Sequence, residues 1–340
     1  MRTESDKLGR RSDHRTDWKL AKNLIQQIQS AEMLPIRMSN FVVDRFRGTW
    51  IHGAIRNLRF LKQRLMRRSD GERILLERYI RVHGRRPDLI NPRTFSEKLF
   101  CRMVALNRRS NPKFTKLADK YAARAYVASR VGDNYLVKLL WHGKDPGEIP
   151  FDRLPEECVI KTNHATNQTI VVKRKVDRSE IISKLCVWLK SNYYWSCREY
   201  QYFHIEPMVM IEEYLKNLDG SGPLDYRFYC FNGVPQVIQV DNHAHDINPF
   251  YDTNWNQLDL YYREGALRPA IARPPNLEHM NVIASQLSEG LDFVRVDLYN
   301  IDGKIYFGEF TFTPTAGELR LHPESWDLKL GEQWKMSAVI

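Results

Sequence analysis

The stretch FVRVDLYNIDGKIYFGEFTFTP, residues 293–314, reads as two strands, 293–299 and 304–312, joined by a turn through Asn300, Ile301, Asp302 and Gly303. The turn sets the strands side by side, so Asp297 on the first and Glu309 on the second come to one place. Such a pair suits Mg²⁺, a hard cation that takes oxygen ligands from one or two carboxylates and completes its octahedron with phosphate oxygens and water. Taken alone, two solvated carboxylates on an exposed hairpin face would read the same way.

Three neighbouring features favour the metal. Lys161 closes the otherwise apolar strand CVIKT (158–162) and Lys173 ends TIVVK (169–173), so both ammonium groups leave a hairpin whose loop is HATNQ (164–168). A lysine at a strand end beside a small-residue loop holds phosphate as a point charge. The strand MVMIEEYL (208–215) ends in Glu212 and Glu213, whose side chains must take opposite faces. The inward one suits adenine and ribose recognition. Asp225 and Arg227, two apart in LDYRFYCF (224–231), share a strand face, where a ribose-binding carboxylate and a phosphate-binding guanidinium would work side by side.

Further out, Asn232 and Gly233 join strands near 226–231 and 234–240 in an N-G hairpin. Helices are expected over 113–131, where Leu117, Tyr121, Ala125 and Val127 or Ala128 form an apolar stripe, over 180–189 and over 276–289. The turn-rich runs GDNY and KDPGEIPFDRLPEE place a boundary near 140–155. Helices mixed with largely antiparallel hairpins give an α+β class. The stretch His243 to Asp246 could suggest a metal pair, but no third ligand lies at usable spacing and Asn242 and Asn248 mark it as a surface loop. Tyr193, Tyr194 and Trp195 read as packing residues, with stacking on a sugar ring as the alternative.

With 43% hydrophobic residues the 340-residue chain has enough apolar material for a large core, and its apolar runs fall well short of a membrane-spanning helix. Residues 1–16 are polar and charged, without a secretory h-region, so a cytoplasmic location is expected. Five cysteines with no C-x-x-C pair argue against a disulfide framework or a zinc knuckle. Of the net charge of +11, residues 1–70 hold 16 Lys or Arg against 7 Asp or Glu. Trp18, Ala21, Leu24, Ile25 and Ile28, then Ile51, Ile55, Leu58, Leu61 and Leu65, recur at helical spacing there. Two basic amphipathic helices are expected, packed on the body or lying on an anionic membrane; no nucleic-acid motif accompanies them.

The order of these blocks resembles the ATP-grasp superfamily, and most closely the TupA-like ATP-grasp family associated with bacterial cell-surface polysaccharide and teichuronopeptide synthesis. INPRTFSEKL, FTKLADKYAARAYV, VIKTNHATN, IEEYL, DYRFYCFNG, FVRVDLYN and KIYFGEFTFTP carry the resemblance, from about Glu77 to Met336. It implies two α+β lobes clamping ATP: a helical region at 71–155, a small lobe at 156–216 and a large lobe with the metal site at 217–340, preceded by the basic extension 1–70. It also implies roles. Lys120, opening a helix, and Lys161 are similar to the two nucleotide-binding lysines, Glu212 to the adenine-hinge acid with Leu215 as a backbone contact, and Asp225 to the ribose acid. Asp297 and Glu309 match the metal ligands, with Thr311 where many relatives carry Asn. Arg295 matches the residue that stabilises the acyl-phosphate and tetrahedral states, and Arg227 sits where a cation would touch phosphate. The glycine-rich loop of relatives is replaced by HATNQ, which restricts left-handed backbone.

The resemblance implies ATP and Mg²⁺ as cofactors and an ATP-dependent carboxylate–amine ligase joining an amino acid or other amine to a uronic acid of a polysaccharide or lipid-linked glycan. A kinase or glycosyltransferase acting on the same glycan, or a non-catalytic binding module, are the alternatives; the chain has no D-x-D triplet and keeps both metal-site acids.

Overall fold

The computed structural model describes residues 71–173, 177–242, 244–262 and 265–336, and the two expected basic helices lie outside them. The chain begins here with α1 (Gly71–His83) and α2 (Phe95–Arg108), the latter opened by a capping box in which Thr94 and Glu97 satisfy each other's backbone amides. The single helix expected over 113–131 is instead two, α3 (Pro112–Ala118) and α4 (Ala122–Val131). The break has a local cause. Asp119 takes an extended conformation and its carboxylate accepts the amides of Tyr121 and Ala122 at 2.8 and 3.1 Å, starting a new helix rather than continuing the old one. Lys120 therefore sits in the break and not inside a helix.

A four-stranded antiparallel sheet follows. It is built from β1 (Leu139–Gly143), β2 (Cys158–Thr162), β3 (Thr169–Val172) and, after α5 (Arg178–Leu189) and the short α6 (Tyr194–Cys197), β4 (Val209–Glu213), in the order β1-β4-β2-β3. The edge strand β1 comes from before residue 156, so the boundary expected near 140–155 runs through this sheet. Ile160 and Ile211 face Ile181 and Leu185 of α5 in one apolar layer. By alternation Lys161 and Glu212 lie on the other face.

The second sheet has six antiparallel strands: β5 (Asp225–Phe231), β6 (Val234–Asp241), β7 (Phe250–Asp252), β8 (Gln257–Leu258), then α7 (Leu277–Ser288), β9 (Phe293–Ile301) and β10 (Lys304–Thr311), ordered β10-β9-β5-β6-β7-β8. Both hairpins turn through paired left-handed residues, Asn232-Gly233 and Asp302-Gly303, whose positive φ matches the twist of the flanking strands. One face buries Phe228, Ile238, Val294, Val296 and Phe310 against α3, α4 and α7. The opposite face is divided. Its lower half, with Tyr229, Phe231 and Phe293, is covered by Phe95 and Leu99 of α2 and by Leu330 and Trp334 at α8 (Ser325–Gln333). Its upper half is charged. All five cysteines are free thiols, and no helix among the described residues is long and apolar enough to cross a membrane.

Candidate active site

The charged half-face is assembled by register. Arg227 on β5 lies opposite Asp297 on β9, which lies opposite Glu309 on β10; one step along, Arg295 lies opposite Thr311. Strict alternation would send Glu309 to the other face. An extra residue, Gly308, enters the β10 ladder between Phe307 and Glu309, so Phe307, Phe310 and Phe312 all point into the core while Glu309 and Thr311 join Asp297. A Cβ at Gly308 would stand 3.1 Å from the Asp297 carbonyl oxygen and 3.3 Å from the Tyr299 ring.

The side chains form one network. Arg295 donates from Nε and Nη2 to the two Asp297 oxygens at 2.7 and 2.5 Å, and from Nη2 to Thr311 Oγ1 at 3.0 Å. Thr311 in turn donates to Glu309 at 3.4 Å. Arg227 donates to Asp225 at 2.8 Å and to Asp241 at 2.5 Å, with Asp297 3.9 Å away. The two metal-candidate carboxylates are held differently. Burial pushes Asp297 up to about 7 against the pull of Arg295, whereas at the partly exposed Glu309 the upward push of desolvation is overcome by Lys120 and Arg295, which hold it down to about 2.

Lys120 links the two sheets. Its Nζ donates to the Ala165 carbonyl at 2.9 Å, in the loop after β2, and lies 3.2 Å from Glu309. That loop is anchored by Asn163, whose amide nitrogen donates to Asp119 and to the Glu206 carbonyl, each at 3.0 Å. The absence of glycine is met by Asn167, which adopts φ 59, a conformation Asn tolerates better than most residues. On the small sheet, Lys161 is 2.5 Å from Glu212, and Arg124 of α4 donates to the same carboxylate at 3.0 Å.

The remaining expected residues fall less centrally. Glu213 is exposed, on the face opposite Glu212, and Leu215 is half-buried just past β4. Lys173 does not flank the loop. Because Cys158 pairs with Val172 and Lys161 with Thr169, Lys173 lies at the far end of the hairpin, with its ammonium over the Tyr214 ring at 4.8 Å. Tyr194 is buried, as a packing role requires, and Tyr193 meets Thr166, in the loop after β2, through its hydroxyl.

Sequence reasoning missed two acids. Asp241, fully buried opposite Asp225, joins Arg227 to His245, whose Nδ1 is 2.9 Å away; the pairing of two strand-end acids across the N-G hairpin was the available signal. Glu199 is buried among Thr313, Gln201 and Cys197 and is pushed up to about 7, chiefly by desolvation. Nothing in its local sequence marks it.

The donor set fits the groups the sequence suggested. Asp297, Glu309 and Thr311 offer only oxygens, as a hard divalent cation requires. No cluster of three His, Cys, Asp or Glu suited to a metal occurs among the described residues. The buried Asp225 Oδ1 has no hydrogen-bond partner and is a ready acceptor for a ligand hydroxyl.

A family profile described as TupA-like ATPgrasp matches residues 97–335. No curated protein matches the chain. Among solved structures, D-alanine–D-alanine ligase from Bacillus anthracis in complex with ATP is similar at 18% identity, with 62% of this chain and 61% of that one covered and a TM-score of 0.38. The Helicobacter pylori D-alanine–D-alanine ligase gives 16% identity, 65% and 61% coverage and a TM-score of 0.37. An ADP complex of N5-carboxyaminoimidazole ribonucleotide synthetase gives 11%, 63%, 50% and 0.40. The chain thus spans about three-fifths of the length of the D-alanine–D-alanine ligases it matches.

Proposed function

Since the chain belongs to the TupA-like ATP-grasp family, we propose that it is an ATP-dependent carboxylate–amine ligase. The observation that carries this reading is the convergence of Asp297, Glu309 and Thr311 with Arg295, Arg227 and Lys120 on one half-face of a sheet, joined through Lys120 to the loop after Lys161. Lys120, Lys161 and Arg227 would hold the triphosphate. Each is paired with a carboxylate in the structure, so the site is electrically balanced before nucleotide arrives and phosphate oxygens would take over those cations. Glu212 would meet adenine, with Leu215 and Glu213 at the hinge and Lys173 at its outer edge, and Asp225 would accept a ribose hydroxyl.

In the first step a substrate carboxylate oxygen attacks the γ-phosphorus, forming an acyl phosphate and releasing ADP. In the second an amine attacks the acyl carbon, expels inorganic phosphate and loses a proton to give the amide. Arg295, held by Asp297 and Thr311, would stabilise charge on the reacting oxygens. Mg²⁺ held by Asp297, Glu309 and Thr311 would offset charge on the transferring phosphoryl group.

The family resemblance supports a uronic acid of a cell-surface glycan as the acid and an amino acid as the amine. We further take 156–216 with β1 as the small lobe and 217–340 as the large lobe, and place the protein at the cytoplasmic face of the membrane, with the basic residues 1–70 on anionic lipid. Product analysis tests the chemistry. ADP and phosphate appearing only when both acid and amine are supplied supports ligation, whereas a stable phosphorylated glycan would establish a kinase.

A further inference from the structure

Between α1 and α2 the chain makes a turn, RRPDLINPR at residues 85–93, that the ligase chemistry does not use. Its conformation is fixed from beneath. Asp88 Oδ1 accepts the amides of Ile90 and Asn91, each at 2.9 Å. The buried Glu97 carboxylate accepts the amides of Arg93 and Thr94 at 3.1 Å and of Asp88 at 3.4 Å, and pairs with the Arg85 guanidinium. Against the upward push of burial, Arg85 and these amides hold Glu97 down to about 2, so it stays ionised. A buried carboxylate is costly unless fully hydrogen-bonded, and here its bonds hold this turn and the start of α2.

What the turn presents is apolar. Ile90 is 98% exposed and Leu89 53% exposed at its tip. Arg86 and Arg93 flank them, both exposed and neither with an acidic partner among the described residues. A protein interface needs roughly 1,000 Å² of buried surface, far more than two side chains supply. A bilayer interface needs only a few inserted apolar side chains with cations at the headgroup level. The 70 residues preceding α1 carry the same sign of charge, 16 Lys or Arg against 7 Asp or Glu.

We propose that the 86–93 turn is a lipid-inserting loop, with Leu89 and Ile90 entering the headgroup–acyl boundary of an anionic bilayer and Arg86 and Arg93 meeting its phosphates. The proposal is independent of the chemistry at Asp297 and Glu309. It is tested on the full chain with Ile90→Cys carrying an environment-sensitive fluorophore, using vesicles of phosphatidylcholine containing a minority of phosphatidylglycerol and unsubstituted protein as the labelling control. Emission should shift to the blue on adding vesicles. A Leu89→Ser/Ile90→Ser variant, unchanged in circular dichroism and melting, should partition at least about tenfold more weakly, since the transfer of two aliphatic side chains is lost. Three results overturn the proposal: no vesicle binding, vesicle binding with unshifted emission, which assigns attachment to other residues, and emission already blue-shifted without vesicles, which means the chain itself covers the tip.

Discussion

Lys161→Ala separates the nucleotide role of this lysine from a structural one. In the structure the Lys161 ammonium is 2.5 Å from Glu212, in surroundings where the two side chains are only 17% and 8% exposed. Removing one partner of a buried pair commonly costs about 3–5 kcal/mol, because a charge is stranded. Glu212 is not stranded here, since Arg124 keeps its bond at 3.0 Å, so a loss of about 1–2 kcal/mol and a folded protein are expected. The phosphate contact should suffer more. A charge-assisted hydrogen bond is worth about 1.5–3 kcal/mol, which weakens ATP binding by roughly 10- to 150-fold. With ATP at about 100 times the wild-type Kd, ligand stabilisation of about 2.7 kcal/mol would drop to about 0.4 kcal/mol for a 100-fold weaker Kd, and most of the ATP-induced rise in Tm would disappear. Lys173→Ala, at the far end of the hairpin, should keep that rise. A full ATP shift in folded Lys161→Ala, or its loss in Lys173→Ala instead, would refute the placement of the phosphate site.

Glu309→Gln keeps the side-chain volume and removes the charge shared by Lys120 and Arg295; ADP release should fall at least ~100-fold, and turnover within a few-fold of wild type would dismiss the metal pair. Burial raises Glu199 from 4.5 to about 7, so the stability conferred by its neutral form is fully present below pH 4.5 and is lost as pH rises through about 7. Melting curves between pH 5 and 8, a range set by that shift, should show wild type falling relative to Glu199→Gln, and parallel curves would contradict a proton held at Glu199. Arg102 is fully buried, bonded to Asp292 and to the Phe293 and Phe312 carbonyls and stacked 4.3 Å from the Trp334 ring. Arg102→Ala should therefore cost about 3–5 kcal/mol in urea unfolding, and a loss below about 1 kcal/mol would mean that the clamp contributes little.

Short-range chemistry was legible in the sequence. Asn232-Gly233 and Asp302-Gly303 impose their turns locally, and the side-by-side placement of Asp225 and Arg227 on one strand face could be read directly, whereas the turn alone would set Gly308 opposite Asp297, and Glu309 takes that place only through the register shift in β10. What depended on a side chain acting on distant backbone could not. Asp119 breaks a helix whose apolar periodicity continues unbroken, and strand β1 joins its sheet through β4, some 70 residues later. Lys173 was misplaced because a strand-end residue belongs to one end of a hairpin or the other according to register, which composition does not state. Glu199 is an acid that matters through its burial, whereas Asp241 matters through its bonds to Arg227 and His245, which only the strand pairing reveals.

The extra residue in β10 also bears on how such strands are compared between proteins. Buried positions there run Ile305, Phe307, Phe310, Phe312, a spacing of two, three, two. Omitting Gly308 would restore an uninterrupted two-residue repeat and still leave Glu309 opposite Asp297, so pairing arithmetic alone makes the residue dispensable. Its contribution is curvature, since a bulge bends and twists the strand that carries it. An alignment that scores β10 by hydrophobic rhythm would enter Gly308 as a one-residue gap and discard it as noise, although it is the point at which the core-facing positions change from odd to even numbers and Glu309 is freed for the charged face.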